Sequence, residues 1–154
     1  MDNAAALGEV DRQRRNAAAR LRVPGWYLVL YAAGCAGMLA APVIGTGYGA
    51  GIAMVVLQLF GVVTVSSPAF LLPRITGLRL PHRTASVYPS ILRTIPLLVG
   101  ALAGGVALTL PLMLSGRLEA ALVVSGLTGI LAALALRHAY RRIAEDIATG
   151  NVRS

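Results

Sequence analysis

Side chains that do chemistry at neutral pH are scarce in this chain of 154 residues. Its two histidines, His82 and His138, lie in or beside arginine-rich stretches, and no Cys, Asp or Glu stands near either at a metal-ligand spacing. The six carboxylates, Asp2, Glu9, Asp11, Glu119, Glu145 and Asp146, all fall outside the long apolar stretches. Thr64, Ser66, Ser67, Thr109, Ser125 and Thr128 offer hydroxyls, but a nucleophile needs a base within hydrogen-bond reach, and none has a His or carboxylate at its depth. Gln58 is the most polar side chain deep in an apolar stretch; it suits an interhelical hydrogen bond worth ~0.6 kcal/mol, with the lining of a solute pathway as the alternative. The single Cys35 excludes an internal disulfide and reads as a small buried hydrophobe. On these grounds no catalytic residue, cofactor or metal is expected.

The elements that carry these residues are set by composition. Hydrophobic residues make up 56% of the chain and charged residues 13%, about half the charged fraction of an ordinary soluble domain. Four uncharged runs, residues 26–44, 49–72, 95–114 and 120–136, are each near the roughly 20 residues that cross a hydrocarbon core at 1.5 Å per residue. They are continuously apolar and rich in Ala, Leu and Gly, unlike the alternating ten-residue strands of a membrane barrel. The expected fold is an all-α membrane protein with spans at about 26–44, 49–72, 93–114 and 118–138. A charged segment at 1–25 precedes this 26–139 domain and a tail at 140–154 follows it.

Charge placement predicts how the chain is threaded. All 14 basic residues are Arg: five precede the first run, four lie between Arg74 and Arg93, four lie from Arg137 onward, and only Arg117 falls on the other side. The positive-inside rule therefore puts both termini and the central loop in the cytoplasm, and the short outer turns at 45–48 and 115–119 imply two helical hairpins. Trp26, Tyr27, Tyr88 and Tyr140 are expected as interfacial anchors. Leu7, Val10, Arg14, Ala17 and Leu21 fall at roughly helical spacing and suit an interfacial cationic helix, and Arg74, Arg79 and Arg83, interleaved with Ile75, Leu78 and Leu80, suit a central loop that lies in part on the headgroups. Pro73, Pro81 and Pro89 argue against a long continuous helix there. The last helix is expected to run to about Ala148, with Arg141/Glu145 and Arg142/Asp146 as i,i+4 pairs.

Small residues supply the positive signal. Gly37-x-x-x-Ala41, Gly100-x-x-x-Gly104 with Gly105, and Ser125-x-x-x-Gly129 each set small side chains on one helix face, where close backbone approach drives association in lipid. Packing within the chain is the first reading of these faces, and joining to a second copy or another membrane subunit is the alternative. A parallel duplication is a weaker signal: Ala53-Met54-Val55-Val56 with Leu59 and Gly61 recurs as Ala121-Leu122-Val123-Val124 with Leu127 and Gly129, 68 residues on. The glycine run from Gly45 to Gly51 follows no strand, so it reads as a turn rather than a phosphate loop.

Three likenesses bear on function. Ala32-Ala33-Gly34-Cys35 resembles the end of a bacterial lipoprotein signal, in which the Cys is lipidated, but apolar residues 36–44 follow it where a polar tether belongs. Small multidrug exporters also have four spans, yet their carboxylate in the first span has no counterpart between Trp26 and Ile44. Through span order and Arg22-Val23-Pro24-Gly25-Trp26-Tyr27 at the first span, the chain resembles the small four-span integral membrane proteins of GC-rich bacteria. That resemblance implies a multi-pass protein of the bacterial cytoplasmic membrane and carries no site residues. The expected function is a non-catalytic accessory or assembly component whose partners are the bilayer and a second copy or another membrane subunit, with no nucleic acid. A permease subunit using Gln58, Thr64, Ser66 and a Pro68/Pro73 discontinuity is the alternative, and a membrane enzyme recruiting His82, His138 or Glu145 is third.

Overall fold

A computed structural model describes residues 3–20, 23–76 and 89–149. Every element in it is helical: α1 (Asn3–Arg20), α2 (Gly25–Pro42), a π-helical turn (Val43–Gly47), α3 (Gly51–Thr76), α4 (Pro89–Leu114) and α5 (Leu118–Thr149). Four segments are long and apolar enough to span a membrane, Gly25–Gly47, Gly51–Pro68, Pro96–Leu114 and one within Leu118–Thr149, so the chain is a multi-pass membrane protein. At 1.5 Å per residue, the 32 residues of α5 reach about 48 Å, well beyond a hydrocarbon core of roughly 30 Å.

Local chemistry explains most helix ends. Pro24 is extended (φ −62°, ψ 144°) and its carbonyl accepts from the amides of Tyr27 and Leu28 at 3.1 and 3.3 Å, which starts α2. Pro42 has no amide to donate, and immediately after it the helix widens into the π turn, where Thr46 Oγ1 donates to the Pro42 carbonyl at 2.6 Å. Helical backbone therefore extends through Gly47, past the expected boundary at 44, and the reversal falls on Gly49 at φ +69°. The α4 C-terminus closes with Gly116 at φ +74°: its amide bonds the Met113 carbonyl at 3.0 Å and that of Arg117 bonds Leu112 at 2.9 Å, a Schellman motif.

One proline expectation is corrected: α3 runs through both Pro68 and Pro73 to Thr76, so no discontinuity falls there. α4 starts at Pro89, and its part apolar enough to cross a membrane is Pro96–Leu114. Proline suits the first helical turn, where its missing amide has no acceptor to lose. The rest of the central loop, with Leu78, Arg79, Leu80, Pro81, His82, Arg83 and Tyr88, lies outside the described residues, as does Leu21.

The packing order is α3 on α2, α2 on α5, and α5 on α4, with α1 against α5. Among the described residues, α3 and α4, the two outer members of this row, share no extensive packing. The core is small and partly polar: Tyr27, Tyr31 and Cys35 of α2 meet Ala132, Ala133 and Leu136 of α5. Large apolar side chains face outward instead, with Ile52, Leu114, Val29 and Phe70 each at least 70% exposed. In water this arrangement would be unstable; in lipid the tails cover the large side chains and small ones allow helices to close up.

Tyr27 is corrected from an interfacial anchor to a core residue. It is fully buried, stacks on Tyr31 with ring centroids 6.4 Å apart, and its hydroxyl bonds Ser67 Oγ at 2.7 Å. Ser67 in turn donates to the Thr64 carbonyl at 2.6 Å, so it is the Tyr27 hydroxyl that donates to Ser67. Trp26, one residue earlier, stays 58% exposed at the helix end. On the α5 extension Arg141 Nε meets Glu145 Oε1 at 3.2 Å as expected, but Arg142 Nη1 also turns to Glu145, at 3.5 Å.

Candidate functional site

The small residues singled out by spacing divide into two groups. Gly37, Ala41, Gly105, Ser125 and Gly129 are all buried. A methyl added at Gly129 would meet the Ala32 carbonyl oxygen and Ala36 Cβ, which locks α5 against α2. One at Gly105 would strike Thr128 of α5, and one at Gly37 would touch Leu57 of α3 at 3.4 Å. Ser125 donates to the Ala121 carbonyl at 2.8 Å and so leaves no unpaired group in the α5 interface. These five residues hold one chain together.

Gly100 and Gly104 differ from them. A Cβ at either position meets nothing within 4 Å, and both are exposed, together with Ala103, Ala107 and Pro111. At 100° per residue this stripe lies roughly opposite the side of α4 that carries Gly105 toward α5. Close-approach geometry is thus present on α4 with no helix among the described residues to use it.

Two close contacts escape the spacing motifs. Gly34 receives Thr64, and Gly61 receives Met38 and the Gly34 carbonyl, so α2 and α3 meet through glycines that belong to no small-xxx-small pair. Gly34 with Thr64 and Gly105 with Thr128 are the same device used twice, a glycine of one helix admitting a threonine of the next. The two pairs are not related by the 68-residue offset, so this geometry lends the duplication no support.

The polar residues considered for a passage are dispersed. Thr64 is buried and donates to the Phe60 carbonyl at 2.7 Å, whereas Ser66 is exposed on another side of α3. Gln58 faces a cleft between α3 and α4, floored by α2 and lined by Met38, Leu39, Pro42, Met54, Gln58, Val106, Thr109, Leu110 and Met113, with a volume of about 430 Å³. A larger cavity, about 620 Å³, lies between α1 and the end of α5 and includes Arg137, Tyr140, Arg141 and Glu145. Its Arg141 is already paired with Glu145, and the pair sits among exposed side chains. No group of three or more His, Cys, Asp or Glu that could hold a metal occurs among the described residues. Cys35 is a free thiol packed in the core at 1% exposure.

Comparison of the chain with known protein families, with curated proteins and with solved structures finds no match.

Proposed function

We propose that this protein is a non-catalytic component of the bacterial cytoplasmic membrane, an accessory or assembly subunit that docks through the α4 face bearing Gly100 and Gly104. In this reading two helical hairpins, α2 with α3 and α4 with α5, enter and leave from the cytoplasmic side, and the arginine-rich ends stay there. The observation that carries it is the contrast among glycines: Gly105 and Gly129 are filled by neighbouring helices of the chain, while Gly100 and Gly104 face open space. A glycine in a lipid-facing helix is useful where another backbone comes close, and small-residue faces associate in lipid through dispersion contacts. The partner is a second copy or a different membrane subunit with a comparable face.

The test uses Ala103, exposed between the two glycines. In native membranes, Ala103→Cys is expected to form an oxidant-dependent crosslink to itself or to one co-purifying membrane protein, and Gly104→Leu in that background is expected to abolish it. A Cβ at Gly104 meets nothing within 4 Å and the position is exposed, so the leucine is directed away from the internal contacts of α4 with α5. Recovery as a lone monomer in mild detergent, with no crosslinked partner at native expression, overturns the proposal.

A further inference from the structure

The cavity between α1 and the end of α5 lies at the edge of the membrane. Val23, on its wall, stands two residues before α2 begins, and Arg137, also on its wall, directly follows the uncharged run at 120–136. Hydrocarbon gives way to headgroups at such a boundary, and the exposed Trp26 marks the same end of α2. Elsewhere in this fold small side chains let helices close up, as at Gly129. Here Ala18 and Ala19 of α1 and Ala144 and Ala148 of α5 border an opening of about 620 Å³, a volume in the range of small-molecule sites.

Charge around this opening is unbalanced. Glu145 is the one carboxylate in its described lining, and two guanidiniums already share it, Arg141 Nε at 3.2 Å and Arg142 Nη1 at 3.5 Å. Asp146, the other acid of this helix end, has an interaction of its own and does not line the cavity. Arg137 makes neither an ion pair nor a hydrogen bond among the described residues. A guanidinium at the membrane boundary beside an open cavity meets headgroups, and its planar fork matches two oxygens of a phosphate. The excess of positive charge disfavours the ammonium of a zwitterionic headgroup and favours a headgroup of net negative charge. We propose that the cavity binds the headgroup of an anionic phospholipid, its phosphate held by Arg137 and its glycerol set against Val23 and Tyr140, the latter packed on the core behind. The described lining includes no residue of α4, so this site does not depend on the docking reading.

The probe is phosphatidylglycerol, added in mixed micelles to the delipidated full-length protein, with retained lipid counted by native mass spectrometry. One molecule per chain is expected to bind more tightly than phosphatidylcholine of the same acyl chains. Arg137→Gln is expected to weaken it about tenfold, the effect of losing a hydrogen bond to a charged group. Arg74→Gln removes the same charge from α3, away from the cavity, and is expected to leave binding within about twofold of wild type. Arg137→Lys, which keeps the charge without the planar fork, is expected to fall between the two. Arg137 is exposed, and thermal unfolding of each variant without lipid separates loss of the site from loss of fold. Undiminished binding in Arg137→Gln overturns the proposal, as does equal weakening by Arg74→Gln, which makes the attraction a property of total charge. Equal affinity for phosphatidylcholine overturns it too. So does displacement of the lipid by inorganic phosphate at the lipid's own concentration, which makes the opening a site for free phosphate.

Discussion

Gly126 and Gly129 stand one turn apart on α5 and differ only in what lies opposite. A side chain at Gly126 meets nothing within 4 Å, whereas one at Gly129 runs into the Ala32 carbonyl and Ala36. Carbonyl backbone cannot swing aside as a side-chain tip can, so Gly129→Ala forces α5 away from α2. It is expected to destabilise by about 1–3 kcal/mol, the cost of overpacking, while Gly126→Ala is neutral or slightly stabilising. Unfolding from mild detergent into denaturing detergent reads the difference, and equal stability of the two variants would show that the α2–α5 contact is looser than described. The same logic applies to Tyr27. Its bond to Ser67 crosses from α2 to α3, and a double-mutant cycle with Tyr27→Phe and Ser67→Ala is expected to give a coupling of roughly 0.6 kcal/mol, typical of interhelical hydrogen bonds in membranes. Nothing in the residue types foretold this pair. Trp26 and Tyr27 are adjacent aromatics with the same interfacial preference, and only their 100° separation around α2 sends one to the outside and the other into the core.

Between the helices, glycine acts through backbone conformation rather than space. Gly116 at φ +74° has room for a side chain but sits where L residues are strained, and its amide completes the cap of α4. Gly116→Ala is therefore expected to cost about 1 kcal/mol or slightly more, despite the absence of any clash, measured by the same unfolding assay. An unchanged midpoint would mean that the turn re-forms with another geometry. Existence and approximate bounds of the helices were legible from the uncharged runs, because crossing lipid imposes a length and a continuous hydropathy on each one. Prolines misled at α3. Pro68 and Pro73 are read as breaks in a soluble helix, yet α3 passes through both, and membrane helices tolerate such interruptions when neighbours satisfy the freed backbone. The extension of α5 to Thr149, by contrast, follows from its polar last turns and the Arg141–Glu145 pair.

For the assembled bundle, the row α3–α2–α5–α4 leaves a gap between its end members among the described residues, which a closed four-helix ring would not have. The proposed threading makes a separate prediction at this level. Reporter fusions after Arg20 and Thr149 are both expected to report the cytoplasm, and one inserted at Gly116 the opposite side; termini on opposite sides would remove the hairpin arrangement.

Lipid residence and four helical crossings were determined by composition and order alone, since the cost of placing a side chain in hydrocarbon is a property of that residue and sums along a segment. Which small residues are occupied is a relation between two helices, and Ala-, Gly- and Leu-rich faces look interchangeable until they are docked. Gly37, Ala41, Gly105, Ser125 and Gly129 became interior contacts, and Gly100 and Gly104 did not. Pairing of this kind depends on distance and orientation between segments far apart in the chain, and no count or period along it contains them.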